Sequence, residues 1–159
     1  MVDLFVSHIR PILDYCSPVW NVGYLGDMRL LESVQRRWTK EVENFHDLEY
    51  RERLNRLGLL SIRGRLLRSD LIKYWKILHL KLDAGLMNLF ILAPQRGTRG
   101  HSFKLEIPRC HTDLKQRFFS VRNVGLWNSL PANVVECQTL SAFKQKLTLH
   151  LGIRLFEIP

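Results

Sequence analysis

A chain of 159 residues has room for one ordinary domain or two small subdomains. Its 46% hydrophobic and 25% charged residues lie close to globular averages, which excludes a disordered polyelectrolyte and calls for a packed core. Twenty-four Lys and Arg against 15 Asp and Glu leave a formal charge of +9, so a polyanionic partner, above all nucleic acid, is the favoured class.

Helical periodicity dominates the pattern along the chain. The first segment, 2–15, is apolar at Leu4, Phe5, Ile9, Ile12 and Leu13, with Pro11 expected to bend or interrupt it and Ser17-Pro18 to break the chain. The clearest helix is predicted over 27–45, capped by Asp27. Met28, Leu31, Val34, Trp38, Val42 and Phe45 recur there at steps of three or four and predict one buried stripe. Arg29, Arg36 and Lys40 fall together on the opposite side, with Ser33 beside them and Arg37 at the margin.

A short helix is predicted over 49–57, stopped by Gly58, and Ser61 is placed to cap a long helix reaching about residue 81. In that long helix Leu67, Leu71, Tyr74, Trp75 and Leu78 share one face, and Arg65, Arg68, Lys76 and His79 lie largely on the other. Gly64 weakens its first turn by about 1 kcal/mol relative to Ala. Between 93 and 111, Pro94, Gly97, Gly100 and Pro108 punctuate a basic loop carrying Arg96, Arg99, Lys104 and Arg109. The alternation Phe103, Leu105, Ile107 there predicts at most a small β-hairpin. Helix is expected again over 113–129, stopping before Pro131, and in a last segment over 141–151 with Leu140, Phe143 and Leu147 buried. The tail after Gly152 carries no readable signal.

These patterns predict a mainly α fold: a helical bundle over 1–92, then a basic linker and C-terminal helical subdomain over 93–159. No run approaches the roughly 20 apolar residues that span a bilayer, and the first ten residues lack the basic flank and long apolar core of a signal peptide. The expectation is therefore a soluble intracellular protein, nuclear or cytoplasmic, neither secreted nor bound to a membrane. A basic amphipathic helix lying on a membrane is disfavoured, because the 27–45 stripe has the composition of a core helix.

Metal and nucleophile chemistry find little support. Cys16, Cys110 and Cys137 are odd in number and widely spaced, and Cys110-His111 alone is no zinc site, which needs about four convergent ligands. His8, His46, His79, His101, His111 and His150 are dispersed, with no Ser or Cys partner indicated by spacing. No metal, cofactor or catalytic residue is expected. The candidate nucleic-acid contacts are Arg29, Arg36, Arg37, Lys40, Arg65, Arg68, Lys76, Arg96, Arg99 and Lys104. A stripe of cations suffices to neutralise phosphates, whereas Trp38 and Trp75 sit on apolar stripes and read as core rather than as base-stacking platforms.

Several phrases, in order, carry a family resemblance. They are Arg10-Pro11-Ile12-Leu13-Asp14-Tyr15-Cys16-Ser17-Pro18-Val19-Trp20-Asn21 and Leu31-Glu32-Ser33-Val34-Gln35-Arg36-Arg37-Trp38-Thr39-Lys40. Arg51-Glu52-Arg53-Leu54 follows, with Leu57-Gly58-Leu59, then Ser61, Asp70-Leu71 and Tyr74-Trp75-Lys76-Ile77-Leu78. Then come Phe118-Phe119-Ser120-Val121-Arg122, Leu126-Trp127-Asn128-Ser129-Leu130-Pro131 and Leu140-Ser141-Ala142-Phe143-Lys144. Together the chain resembles the region downstream of the polymerase core in LINE-type (non-LTR) retrotransposon reverse transcriptases, especially the jockey-like and chicken-repeat clades.

The resemblance covers about residues 4–151. It implies a parent polyprotein with an endonuclease and an RNA-directed DNA polymerase upstream, and a thumb-like first half that holds template RNA and primer DNA. The implied partners are RNA, an RNA/DNA duplex and the polymerase palm, with self-association of an isolated fragment through the surface left bare. The family's palm signature of paired aspartates is absent: the seven aspartates are scattered singly, and polymerase chemistry needs clustered carboxylates around two metal ions. The Cys/His zinc knuckle of some related clades has no matching spacing. The expectation is thus a non-catalytic, nucleic-acid-binding portion of such an enzyme. The alternative is a relic or recruited helical interaction module with no nucleic-acid role.

Overall fold

The computed structural model describes residues 4–80, 84–94 and 100–158, and the chain is mainly α-helical. It forms two compact units, Met1–Leu67 with Gly152–Pro159, and Arg68–Leu151. The division expected near residue 92 therefore falls inside a long helix instead, at Leu67. The reason is that side chains from Arg68 onward, such as Tyr74 and Trp75, bond and stack on residues far down the chain.

In the first unit, a π-helical turn over Phe5–Ile9 runs into α1, Arg10–Asp14. The Arg10 N–H reaches back to the Phe5 carbonyl, and Pro11, lacking an N–H, sits in the first turn of α1 where none is needed. Pro11 therefore neither interrupts nor ends the helical path. The break comes at Cys16, whose φ of 49° turns the chain into α2, Ser17–Trp20, with Pro18 in its first turn.

Helix α3 runs Leu25–Lys40. Asp27 lies within its first turn, where it complements the helix dipole, and is not the cap. The helix ends at Lys40 rather than at Phe45. Its buried residues are Met28, Glu32, Gln35 and Thr39, with Leu31 and Trp38 half-buried and Val34 exposed. The inward face is thus rotated by roughly 60° from the apolar stripe toward polar residues.

Helix α4, Tyr50–Arg56, stops as predicted at Gly58, whose φ is 62°. The Leu59 N–H bonds the Leu54 carbonyl at 2.9 Å and the Gly58 N–H bonds that of Asn55 at 3.2 Å, a Schellman closure. Ser61 caps α5, Ile62–Leu80, its Oγ accepting the Gly64 N–H at 3.0 Å. The C-terminal tail, unreadable in the sequence, forms a 3-10 turn over Gly152–Phe156 and closes this unit. Leu155 is buried, and its carbonyl accepts both the Ser61 N–H at 3.1 Å and the Ser61 hydroxyl at 3.0 Å. A Cβ at residue 64 would stand 2.2 Å from that carbonyl oxygen, so Gly64 is there for close approach of the tail. Two apolar clusters complete the unit: Met28, Ile62 and Leu66 with Leu13 and Leu31, and Tyr50, Leu54 and Leu59 with Trp38, Leu57, Phe156 and Ile158. Trp38 also stacks on Phe5 at 4.2 Å.

The second unit is built on aromatic rings. After α6, Ala84–Met87, the expected hairpin contracts to one antiparallel bridge, Leu92 to Leu105, flanked by Ala93 N–H to Lys104 O at 2.8 Å and Glu106 N–H to Ile91 O at 2.7 Å. The single helix expected over 113–129 is broken into α7, Asp113–Gln116, α8, Phe119–Arg122, and α9, Val124–Ser129. The break at Phe118, in extended backbone, aims the Phe119 carbonyl at the Tyr74 hydroxyl. Helices α10, Ala132–Val135, and α11, Leu140–Leu151, follow, and α11 buries Phe143, Leu147 and Leu151. Asn128 serves as a strand partner: its Oδ1 accepts the Leu105 N–H at 2.8 Å and its Nδ2 donates to the Leu105 carbonyl at 2.7 Å.

Candidate nucleic-acid interface

The outward face of α3 follows from what its inward face must do. Glu32 is almost wholly buried, yet its carboxylate is satisfied: Oε2 accepts the Ile62 N–H at 2.8 Å and Oε1 accepts the Tyr50 hydroxyl. Gln35 Nε2 bonds the Leu60 carbonyl at 2.9 Å and Tyr50 Oη at 3.2 Å. Thr39 Oγ1 accepts Arg53 Nε at 3.3 Å, and Arg53 Nη1 reaches the Leu48 carbonyl at 2.7 Å. Burial pushes the Glu32 carboxyl above its ordinary range, against the hydrogen bonds that hold it down; burial and the Glu32 bond together push the Tyr50 phenol up.

With Glu32, Gln35 and Thr39 turned inward, Arg29, Arg36, Arg37 and Lys40 are all exposed. Arg29, Arg36 and Lys40 lie within about 40° of one another around the helix, and Arg37 about 100° from Arg36. None of the four forms an ion pair with a described residue. Along the axis the row from Arg29 to Lys40 spans about 16 Å, the reach of about five phosphates of one strand. Arg37 and Lys40 also stand in the last turn, where cations complement the helix dipole.

The other predicted contacts divide. Arg65 is a correction: it is buried, with Nη2 3.1 Å from Asp14 Oδ1, so α5 does not present it to a ligand. Burial lowers its pKa, with Asp14 acting the other way. The cause is Asp14, a partner far off in the sequence that lets this cation face inward. Arg68 is half-buried and donates from Nε to Thr148 Oγ1 at 2.8 Å. Lys76 and Lys104 are half-buried. Arg96 and Arg99 lie outside the described residues. His79, expected on the polar side of the long helix, is half-buried between the rings of Trp75 and Phe103, at 4.5 and 4.0 Å. Among the described candidates, Arg29, Arg36, Arg37 and Lys40 are the ones exposed together on one helix.

No family model matches the chain, and neither a curated protein nor a solved structure does.

The phrases that carry the resemblance coincide with side chains that build the units. Glu32, Gln35 and Thr39 are the inward residues of α3. Asp70, buried, takes Arg122 bidentately at 2.8 and 2.9 Å and the Asn123 amide at 2.8 Å. Trp75 donates its indole N–H to the Val135 carbonyl at 3.1 Å, and Trp127 to that of Phe103 at 2.8 Å. The aspartates show the same use: Asp14, Asp70 and Asp113 pair with Arg65, Arg122 and Arg117. Among the described residues no group of three His, Cys, Asp or Glu could hold a metal ion, and no helix is long and apolar enough to cross a membrane.

One residue of the site was missed by sequence reasoning. The Tyr50 ring lies beneath the Arg36 guanidinium, 4.9 Å from its centroid. No periodicity links a helix N-terminus to a position 14 residues earlier, so only the fold reveals the pair.

Proposed function

We propose that this chain is a non-catalytic, helical portion of a retrotransposon RNA-directed DNA polymerase. It grips the phosphates of an RNA-containing duplex, template RNA paired with primer DNA, through the outward face of α3. The observation that carries this reading is the segregation on α3: four exposed cations without ion-pair partners among the described residues, beside an inward face whose own charge is buried and bonded. Such a face serves contacts that position a backbone without reading sequence. The order of the phrases from Arg10 to Lys144 supports the family. The aspartates, scattered singly along the chain with Asp14, Asp70 and Asp113 each paired to an arginine, support the absence of polymerase chemistry.

The test is a salt titration of binding to an RNA/DNA duplex by the wild type and by Arg36→Ala/Arg37→Ala/Lys40→Ala. Exposed substitutions shift stability by about 0.5 kcal/mol or less each, so the variant stays folded. Affinity falls alike for unrelated sequences, and the slope of log affinity against log salt flattens by about 0.9 for each lost contact. An unchanged slope refutes the reading.

A second reading, a relic or recruited protein-interaction module, is favoured by the first unit's bare apolar side chains. Ile12, Tyr15, Val19 and Leu30 are each 70% or more exposed. The palm of the parent enzyme is one occupant for them, and self-association of the isolated chain is the alternative. Sedimentation over a concentration series separates a monomer from a self-associating chain.

A further inference from the structure

We propose that Tyr50 is a positioning residue for Arg36, holding its guanidinium edge-outward so that Arg36 contributes more to duplex affinity than the equally charged Arg29 or Arg37. The proposal rests on the nucleic-acid reading of α3 and adds to it a mechanism and a residue.

A free arginine on a helix surface samples many rotamers, and fixing one of them on a phosphate costs affinity. Arg36 is exposed, yet its guanidinium carbon stands 4.9 Å from the Tyr50 ring centroid, within cation–π range. The ring is itself immobile. Its hydroxyl donates to Glu32 Oε1 and accepts Gln35 Nε2 at 3.2 Å. Arg53, tied to the Leu48 carbonyl and Thr39, also lies over it at 5.5 Å. A guanidinium resting its face on a ring keeps its N–H donors at its edge, in the plane that a phosphate engages bidentately. Neither Arg29 nor Arg37 lies over an aromatic ring among the described residues. The buried network of α3 thereby reaches the surface: Glu32 and Gln35 fix Tyr50, and Tyr50 fixes Arg36.

The experiment measures RNA/DNA-duplex affinity and its salt slope for the full chain, with a thermal melt of each variant. Tyr50→Phe keeps the ring and is expected to bind within about twofold of wild type. Tyr50→Leu removes the ring but no charge, and is expected to weaken binding about two- to fivefold while leaving the slope intact. Arg36→Ala weakens binding and flattens the slope by about 0.9. In the Arg36→Ala background Tyr50→Leu is expected to have no further effect, whereas in an Arg37→Ala background it keeps its full effect. A loss on Tyr50→Leu that persists without Arg36, or no loss in the wild type, overturns the proposal. Should Tyr50→Leu fail to fold, Arg36→Lys decides: charge without a planar face is expected to lose about two- to fivefold, and wild-type affinity would overturn the proposal. A slope that no stripe variant changes refutes the nucleic-acid reading itself, and the proposal with it. A changed slope without Tyr50–Arg36 coupling refutes the positioning alone.

Discussion

The two units solve the same problem by opposite means. In the first, the interior is stitched by polar groups: Glu32, Gln35, Thr39, Arg53, Ser61 and Arg65 are all buried. In the second, the interior is a set of touching rings, Tyr74 on Phe90, Phe119 and Trp127, and Trp75 on Phe143, with each indole N–H answered by a backbone carbonyl. A ring core tolerates ordinary hydrophobic exchange better than a polar one, where each removed partner strands another buried group. A polar interior also has a surface consequence. With Glu32, Gln35 and Thr39 inside, the outward positions of α3 carry four cations and the bare aliphatics Leu25, Leu30 and Val34, beside Asp27 and Ser33.

The comparison is sharpened by substitutions ranked by expected effect. Trp127→Ala should be the costliest, about 3–5 kcal/mol in denaturant unfolding, because a fully buried ring and its bond to Phe103 vanish together. In the first unit, Glu32→Leu should cost about 3 kcal/mol, although it adds apolar surface, since it strands the Tyr50 hydroxyl and the Ile62 N–H. Glu32→Gln, which keeps an acceptor, should cost about 1 kcal/mol. If Glu32→Leu proves neutral, the stitched-interior account of this unit is wrong. Trp38→Ala should cost about 2 kcal/mol, less than Trp127, because Trp38 is half-buried and loses mainly its stacking on Phe5.

The smallest expected effect is a pH dependence in the ring-built unit. Burial holds the His79 and His101 imidazoles below their ordinary value of 6.5, against the carbonyl bonds to Trp75 and Trp127 that favour the charged form. Groups with depressed pKa bind fewer protons in the folded state than in the unfolded one. Stability is therefore full above about 6.5 and declines as the pH falls toward the folded values. Lys104 disfavours the charge on His101, while Glu136 favours it on both rings. Thermal midpoints followed by tryptophan fluorescence should drop between about pH 7.5 and 5.5, and His79→Phe/His101→Gln should flatten the drop. A flat wild-type profile would show that neither ring titrates across that range.

Much of this was legible in the sequence, and the failures share a cause. Local chemistry read correctly: Gly58 as a stop, Ser61 as a cap, Phe143 and Leu147 as buried. These depend on residues within one helical turn. What failed depended on distant partners. Hydrophobic periodicity misphased α3 because Glu32 and Gln35 count as surface residues until Tyr50, Leu60 and Ile62 are seen to satisfy them. Arg65 was misplaced for the same reason, with Asp14 its unseen partner. Gly64 read as a local weakness and is instead a contact with Leu155, and the breaks over 113–129 serve Tyr74 rather than any local signal. Of the candidate site, the exposed row on α3 was legible in the sequence and Tyr50 was not.

The Ser61–Leu155 closure also sets an order of events during synthesis. The ring-built unit is one contiguous stretch, Arg68–Leu151, and its partners are all available once that stretch has emerged from the ribosome. The polar unit is begun first and finished last. The Ser61 hydroxyl's own acceptor and the filling of the Gly64 groove wait for a carbonyl 94 residues downstream, a long loop whose ends meet only after the intervening unit has had time to condense. Released chains truncated just before Gly152 should therefore show the second unit protected from protease and the first still open.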